Sequence, residues 1–271
     1  MQTDKHGKPC FLFLVIEFYE NSKLSNLYLC YNTDVRNDIM KKLIKKIVLL
    51  LLVIGISIVL FLFGAGYLNY RYALHQENLE LKIENIRKQP HYVTFDKISP
   101  YLLEATVATE DRRFFDHDGV EIRSILRAAI GNLFSDQITG GGSTITQQLA
   151  KNLYFGYEQS YIRKVSEVFL ADDLEDMLTK DEILELYVNI INYGAGQFGV
   201  YNASTYYYDK LPSELTLNEA SLLAGVPQSP VNYDLSKNYE NALRRQKQVL
   251  HAMFEEQMIT QKEMDDIIIH Q

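Results

Sequence analysis

Residues 141–152 read GGSTITQQLAKN, and this stretch decides how the rest of the sequence is interpreted. A glycine-rich turn leads into Ser143 and Thr144, either of which can cap a following helix through its hydroxyl. That helix would carry Gln147 and Lys151 four residues apart on one face. A turn that presents backbone N–H groups suits an anionic ligand. Taken by itself, the stretch is explained equally well by a flexible loop before an ordinary helix that binds no anion.

Two segments that carry glutamates flank this stretch. EDRRFFDHDG covers residues 110–119, and RKVSE covers residues 163–167. The pair Ser99–Pro100 predicts the start of a helix, and Glu110 falls at the end of that helix. Clustered acids in a cleft hold protons more tightly, which suits a general acid or base. An isolated Glu-Asp pair is more often a solvated helix end, so the context decides.

The residues around these glutamates complete the pattern. Phe114 and Phe115 supply an apolar wall, and Gly119 permits a sharp turn. His117 and Glu121 are weak evidence for a metal pair, and a structural histidine is the preferred interpretation. Three cations can neutralise a diphosphate or can be ordinary surface groups. These cations are Lys151, Arg163 and Lys164.

The charge distribution excludes nucleic acid as the main partner. The net charge is −8, and residues 71–271 hold 19 basic and 30 acidic groups. Phosphate backbones require a basic surface, so an anionic ligand needs a local cationic cluster here. Both cysteines, Cys10 and Cys30, precede the apolar segment described next. This pattern is compatible with an exported domain that folds without disulfides.

Residues 47–68 form an uncharged apolar run of 22 residues. At about 1.5 Å per residue, this run spans a bilayer core of about 30 Å. Four lysines between residues 41 and 46 precede it, and only Arg71 follows closely. The positive-inside rule therefore predicts a single-pass protein of the cell membrane, with a cytoplasmic N-terminus and residues 71–271 outside.

The predicted organisation follows from this run. Residues 1–46 form a cytoplasmic segment, 47–68 the transmembrane helix, 69–90 a helical stalk and 91–271 the extracytoplasmic domain. For residues 1–39 two interpretations stay open, an over-extended start upstream of Met40 and a genuine short tail. No strand alternation is convincing, so the fold is predicted to be mainly α.

Helix signals recur throughout the extracytoplasmic domain. Apolar spacing predicts an amphipathic helix over 122–133, and further helices are expected over 161–177, 240–258 and 261–269. Capping boxes predict three helix starts. They are formed by Thr179 with Glu182, Thr216 with Glu219 and Thr260 with Glu263.

The motifs together, in this order, resemble the monofunctional peptidoglycan glycosyltransferases of glycosyltransferase family 51. The pattern E-D-x-x-F-x-x-H-x-G matches residues 110–119, and G-x-S-T-I-T-Q-Q matches 141–148 and continues to Asn152. R-K-x-x-E matches 163–167, and E-I-L-E-x-Y-L-N matches 182–189 with Val188 in place of leucine. The segment 220–230 matches A-x-L-L-A-G-x-P-Q-x-P. The resemblance covers residues 90–258.

The resemblance implies a lysozyme-like helical domain with a smaller, membrane-proximal lobe, and it implies polymerisation of lipid II. Glu110 would be the general base, and Glu167 would assist near the departing diphosphate. The implied substrate-binding residues are Asp111, Phe114, His117, Gly119, Ser143, Thr144, Gln147, Gln148, Lys151, Asn152, Arg163 and Lys164. The metal ligands stay undefined, although a divalent cation, Mg or Mn, is expected at the diphosphate. No organic cofactor is expected.

The implied partners are lipid II, the growing glycan chain, the membrane, and proteins of cell-wall synthesis or division. A lysozyme-like hydrolase and a non-catalytic, membrane-anchored glycan-binding scaffold stay open as alternatives. A transpeptidase is disfavoured because the sequence has no S-x-x-K motif. Residues 207–210 read YYDK where the family usually has Y-F-G-K, and Asp172–Asp173 adds acid where a neutral residue is common.

Overall fold

The structure is a computed structural model that describes residues 13–20, 23–30, 33–121, 142–156 and 160–269, with side chains described from residue 38 onward. Two compact units are separated between Phe61 and Leu62. The helix predicted over 122–133 and the glycines at 140 and 141 lie outside the described residues. The two interpretations of residues 1–39 stay predictions.

The first unit contains a two-stranded antiparallel sheet. Strand β1, Phe13–Glu20, pairs with β2, Lys23–Cys30, with Phe13 opposite Cys30 and Glu20 opposite Lys23. These two strands were not predicted from the sequence. Strand β1 is rich in β-branched and aromatic residues, and a two-residue connection is the usual length for a tight hairpin.

Helix α1, Thr33–Gln76, contains the whole apolar run of residues 47–68. Its most apolar window has a mean hydropathy of 3.2. By length and composition, α1 can cross a membrane, as the sequence predicts. The mainly helical class and the apolar helix that precedes the domain are both confirmed.

Nine further helices lie in the described part of the second unit. They are α2 Leu79–Arg87, α3 Pro100–Glu110, α4 Ile145–Ala150, α5 Tyr161–Met177, α6 Lys180–Ile190, α7 Val200–Tyr208, α8 Leu217–Gly225, α9 Tyr239–Glu255 and α10 Gln261–Ile269. A π-helical turn, Lys151–Phe155, continues α4. Short 3₁₀ turns cover Phe95–Lys97, Phe114–Asp116, Pro212–Glu214 and Val226–Gln228.

Local capping chemistry sets several of these helix starts. Thr179 and Glu182 cap α6 reciprocally, and Thr216 and Glu219 cap α8 in the same way. Thr260 also accepts from the Glu263 N–H while the Glu263 carboxylate accepts from the Thr260 N–H. All three predicted capping boxes are confirmed.

The core has two packed groups of helices. Helix α3 packs against α8 and α9, while α4 packs against α5 and α6. Leu102, Leu149, Leu170, Leu223 and Val249 are fully buried between them. Complete burial of such a side chain contributes about 1.5–3 kcal/mol. This packing places the C-terminal end of α3 close to the N-terminal half of α4.

The region predicted to be a stalk, residues 69–90, also contributes to the core. Tyr70, Leu79 and Ile83 are buried in the same hydrophobic cluster as the domain helices. The packing therefore shows no break at residue 90, and the stalk and the boundary between 90 and 91 stay predictions.

The last turns of α1 pack directly on α5. The rings of Tyr67 and Tyr70 lie 5.3 and 5.7 Å from the ring of Phe169. The Ser166 hydroxyl donates to the Gly66 carbonyl over 2.9 Å. A Cβ added at Gly66 would lie 2.5 Å from Val165 Cγ1, so the close approach requires glycine. These contacts hold α5, which carries part of the candidate site.

Candidate active site

Glu110 ends α3, and its two carboxylate oxygens have different environments. Gln148 Nε2 donates to Glu110 Oε2 over 2.7 Å. Glu110 Oε1 is buried and has no hydrogen-bond partner within the described residues. One oxygen is thus fixed, while the other remains available to accept a proton.

Asp111 has a different, structural set of contacts. Its carboxylate lies 2.9 and 3.0 Å from His117 Nε2 and accepts from the Ile145 N–H over 3.1 Å. Only 7% of Asp111 is exposed. The residue thereby joins the end of α3 to the first turn of α4. Of the adjacent acids, Glu110 therefore has the available oxygen.

Phe114 and His117 lie beside the junction between the end of α3 and the first turn of α4. Phe114 is fully buried, and Lys180 Nζ lies 4.5 Å from its ring centroid. The same ammonium group donates to the His117 carbonyl over 2.5 Å. A metal pair of His117 and Glu121 is not favoured, since Glu121 is ion-paired with Arg113. The described residues contain no group of three or more His, Cys, Asp or Glu side chains arranged to hold a metal.

Gly119 contacts Thr144, the residue that caps α4. Gly119 has φ +58°, and a Cβ there would lie 3.3 Å from the Ala171 carbonyl oxygen. The Thr144 hydroxyl donates to the Gly119 carbonyl over 2.5 Å and accepts from the Gln147 N–H over 3.1 Å. The prediction that Ser143 or Thr144 caps α4 is confirmed, with Thr144 as the cap.

The two glutamines of α4 separate into different positions. Gln147 is 1% exposed, and its Oε1 accepts from the Thr144 N–H over 3.1 Å to complete the capping box. Gln148 lines the cleft beside Glu110 instead. Asn152 Nδ2 donates to the Gln148 carbonyl over 2.8 Å. The structure thus places Gln148, and not Gln147, where a ligand can contact it.

Glu167 lies on α5 within a cluster of cations. It is 1% exposed; its Oε1 lies 3.0 Å from Arg163 Nε, and its Oε2 accepts from Lys164 Nζ over 2.8 Å. Lys164 also donates to the Ser143 hydroxyl. Glu167 therefore fixes the two cations beside the turn that precedes α4, and each of its oxygens faces a positive group.

Lys151 connects the two glutamates electrostatically. Burial lowers the pKa of the Lys151 ammonium group, and the neighbouring charges of Arg163 and Lys164 lower it further. Negative charge on Glu167 and, more weakly, on Glu110 raises it. A lysine held among other cations is suited to an anionic ligand, because a bound anion would relieve their repulsion.

Some of these residues line a cleft of about 590 Å³. Its lining includes Glu110, Ser143, Gln148 and Lys151, and also residues from the loop after α8 and from α9. The sequence motifs did not predict four of the lining residues, which are Pro227, Gln228, Arg245 and Glu256. Arg245 had a recognisable signal, since it lies between the apolar positions 242 and 249 on the inward face of α9.

Comparison with known proteins identifies the family of this domain. A sequence model of the family described as transglycosylase matches residues 78–254. Penicillin-binding protein 1A of Escherichia coli (strain K12) is 45% identical over 173 residues, which are 64% of this chain and 20% of that protein. The proteins of the same name from Neisseria gonorrhoeae and Aquifex aeolicus (strain VF5) are each 44% identical over 177 residues. The matches cover 64% and 65% of this chain, and 22% and 24% of those proteins.

A crystal structure of penicillin-binding protein 1A from Haemophilus influenzae aligns with 65% of this chain and 17% of that one, at 22% identity and a TM-score of 0.39. The chain thus matches about a fifth of the length of these curated relatives. The family match covers the α3 end, α4 and α5, where the site residues lie. The chain belongs to the transglycosylase family.

Proposed function

We propose that this chain is a membrane-anchored peptidoglycan glycosyltransferase that polymerises lipid II into linear β-1,4 glycan strands. The observation that carries the proposal is the Glu110 carboxylate, with one oxygen held by Gln148 and the other without a partner in the described part of the cleft. The cationic cluster adjoins the same cleft through Lys151. A base and an adjoining anion-binding cluster are the groups that this transfer requires.

The chemical step needs one proton transfer and one displacement. Glu110 Oε1 takes the proton from the 4-hydroxyl of the acceptor GlcNAc. The deprotonated 4-hydroxyl oxygen attacks the anomeric carbon of the donor MurNAc. The bond from this carbon to the diphosphate oxygen breaks, and its electron pair leaves with undecaprenyl diphosphate. Attack on the face opposite the leaving group inverts the configuration from α to β.

Lys151, Arg163 and Lys164 would stabilise the charge that develops on the departing diphosphate. Glu167 holds two of these cations in place through its ion pairs. A divalent cation at the diphosphate stays a prediction. The described residues do not fit a protein-held metal, because both Glu167 oxygens face cations and no cluster of three ligands is present among them. The three side-chain cations are therefore the groups assigned to the departing diphosphate.

The membrane helix fits a lipid-linked substrate. The lysines before residue 47 favour a cytoplasmic N-terminus and an extracytoplasmic site, where the growing glycan chain would be assembled. Proteins of cell-wall synthesis or division stay predicted partners. The relatives described above are named penicillin-binding proteins. Residues 1–271 contain no S-x-x-K motif, so a transpeptidase activity is not proposed for them.

Incubation of the purified full chain with labelled lipid II tests the proposal. Gel separation of the products should reveal a ladder of polymer that a muramidase degrades. Cleaved glycan from a preformed polymer would favour the hydrolase instead. Unchanged lipid II, combined with measurable glycan binding, would favour the scaffold.

A further inference from the structure

Glu175 lies on α5, eight residues after Glu167, and the proposed mechanism assigns it no role. Its side chain is only 11% exposed. One carboxylate oxygen, Oε1, accepts three hydrogen bonds. The donors are the Gly119 N–H over 3.0 Å, the Thr146 hydroxyl over 2.5 Å and the Lys180 ammonium group over 2.8 Å. A single oxygen therefore joins α5 to α4, to the start of α6 and to the segment that follows the end of α3.

Thr146 belongs to the motif at 141–148, yet it is 0% exposed and its hydroxyl binds α5. Gln148, two positions later, lines the cleft. Residues two apart on a helix project to different sides, so α4 has one side for the cleft and another for α5. The motif therefore includes a residue that docks the helix as well as residues that can contact a ligand.

Helix α4 and the residue before its cap make polar contacts with α5 at two separate levels. At the first level, Lys164 donates to the Ser143 hydroxyl. At the second level, eleven residues further along α5, Glu175 accepts from Thr146. Two separated contacts fix the direction of a helix as well as its position, because a single contact would still allow it to rotate. Supporting hydrogen bonds of this kind hold functional groups in a productive geometry.

The cationic cluster is divided between the same two helices. Lys151 directly follows α4, whereas Arg163 and Lys164 lie near the start of α5. A diphosphate can contact all three cations only if the two helices are correctly placed against each other, and small misplacements of such groups are costly. We propose that Glu175 is a positioning residue that sets the placement of α4 against α5, and thereby the spacing of these cations. The inference deepens the proposed function, since it rests on the assignment of the cluster to the diphosphate.

Binding of inorganic diphosphate to the full chain in detergent tests the inference without any turnover. Glu175→Leu removes all three hydrogen bonds and leaves every cation of the cluster in place. We expect the Kd for diphosphate, measured by calorimetry, to rise about tenfold because the cations no longer converge on one ligand. Asp176→Leu is the matched control, because Asp176 is the exposed neighbour on the same helix. The control loses the same charge, so its Kd should stay at the natural value if position, and not net charge, is decisive.

The hydroxyl of Thr146 separates positioning from stability. Thr146→Val keeps the shape of the side chain without the donor and should raise the Kd by a smaller factor than Glu175→Leu. Thr146→Ser keeps the donor and should restore the natural Kd. Circular dichroism gives the melting temperature of each variant, and binding is measured well below it, so a loss of stability alone would leave the Kd unchanged. Thr146→Val carries the test if Glu175→Leu fails to fold.

An unchanged Kd in the folded Glu175→Leu or Thr146→Val variant would overturn the inference, and so would a natural chain that binds no diphosphate. In the lipid II assay, kcat/KM should fall about tenfold in Glu175→Leu and stay natural in Asp176→Leu. Equal values for these two variants would also overturn the inference. If the natural chain binds diphosphate in a manner that depends on Glu175 but forms no polymer, the proposed function fails while the positioning role of Glu175 is upheld.

Discussion

Gln148 holds Glu110 by donating from Nε2 to Oε2 over 2.7 Å, and the Tyr187 hydroxyl donates to Gln148 Oε1 over 3.0 Å. Tyr187 is fully buried in the core. A chain of two hydrogen bonds therefore connects the candidate base to the rigid interior of the domain. The carboxylate proposed as the general base is therefore oriented in the absence of substrate, as efficient proton transfer requires.

Replacement of Gln148 should disorient the base. In Gln148→Leu, Glu110 loses a hydrogen bond to a charged group, which is worth about 1.5–3 kcal/mol. We expect kcat for lipid II polymerisation to fall about ten- to a hundredfold. Tyr187→Phe removes only the more distant hydrogen bond and should have a smaller effect. A Gln148→Leu enzyme with normal kcat would contradict the orienting role.

Lys151 should control the use of the diphosphate substrate. Lys151→Met should lower kcat/KM about ten- to a hundredfold through the loss of a charge-assisted contact. Lys88→Met is the control, because Lys88 is an exposed lysine paired only within its own helix region. Equal kinetics for the two variants would mean that Lys151 is not in the anion-binding cluster.

The pH dependence of Lys151 has a definite sign. Because burial lowers its pKa, the ammonium group loses its proton, and the cluster loses a charge, at a lower pH than an exposed lysine would. Activity should therefore fall on the alkaline side as the pH rises through this pKa. In Lys151→Arg the guanidinium stays charged, so the alkaline limb should move to higher pH. An unmoved limb would assign that limb to another group.

The sequence predicted much of this site because its signals are local. Helix α5 occupies the predicted range 161–177, and the three capping boxes and the Thr144 cap are local hydrogen-bond patterns. The cleft, in contrast, depends on long-range packing. Arg245 and Glu110 line the same cleft although 135 positions of sequence separate them, and no local pattern predicts that both belong to it. Gln147 and Gln148 are adjacent, and only the three-dimensional structure shows which one faces the ligand.

Strands β1 and β2 and residue Asp209 illustrate two further limits of prediction from the sequence. A strand is stabilised by pairing with another segment. The alternation of apolar and polar residues within one segment therefore does not reveal every strand. Asp209 takes φ +52° at the end of α7, where the family's glycine would adopt this conformation without a steric cost. The departure noted from the sequence therefore lies at a helix end, away from the residues that line the cleft.

Gly66 should be required for the position of α5. A leucine there would collide with Val165 and displace the helix that carries Arg163 and Glu167. Gly66→Leu should destabilise the domain by about 1–3 kcal/mol and lower the polymerisation rate. Gly64→Leu is a close control, because a Cβ at Gly64 meets nothing within 4 Å. Thermal unfolding in detergent compares the two, and identical melting would refute the close contact.

The orientation of α1 should depend on the lysines that precede it. Protease added to intact, wall-stripped cells should digest residues 71–271, because the positive-inside rule places them outside. Removal of residues 1–46 should scramble this orientation, whereas removal of 1–39 alone leaves the lysines and should preserve it. Full protection of the domain in intact cells would refute the predicted topology.

Glu110→Gln in a lipid II polymerisation assay tests the central claim most directly. Glutamine keeps the size of the side chain and can still bond to Gln148, but it cannot accept the proton. The rate should fall by about 10²–10⁴, while lipid II binding and the thermal melt stay unchanged. Near-normal formation of glycan polymer by Glu110→Gln would contradict the account, and it would move the role of general base to another group of the cleft.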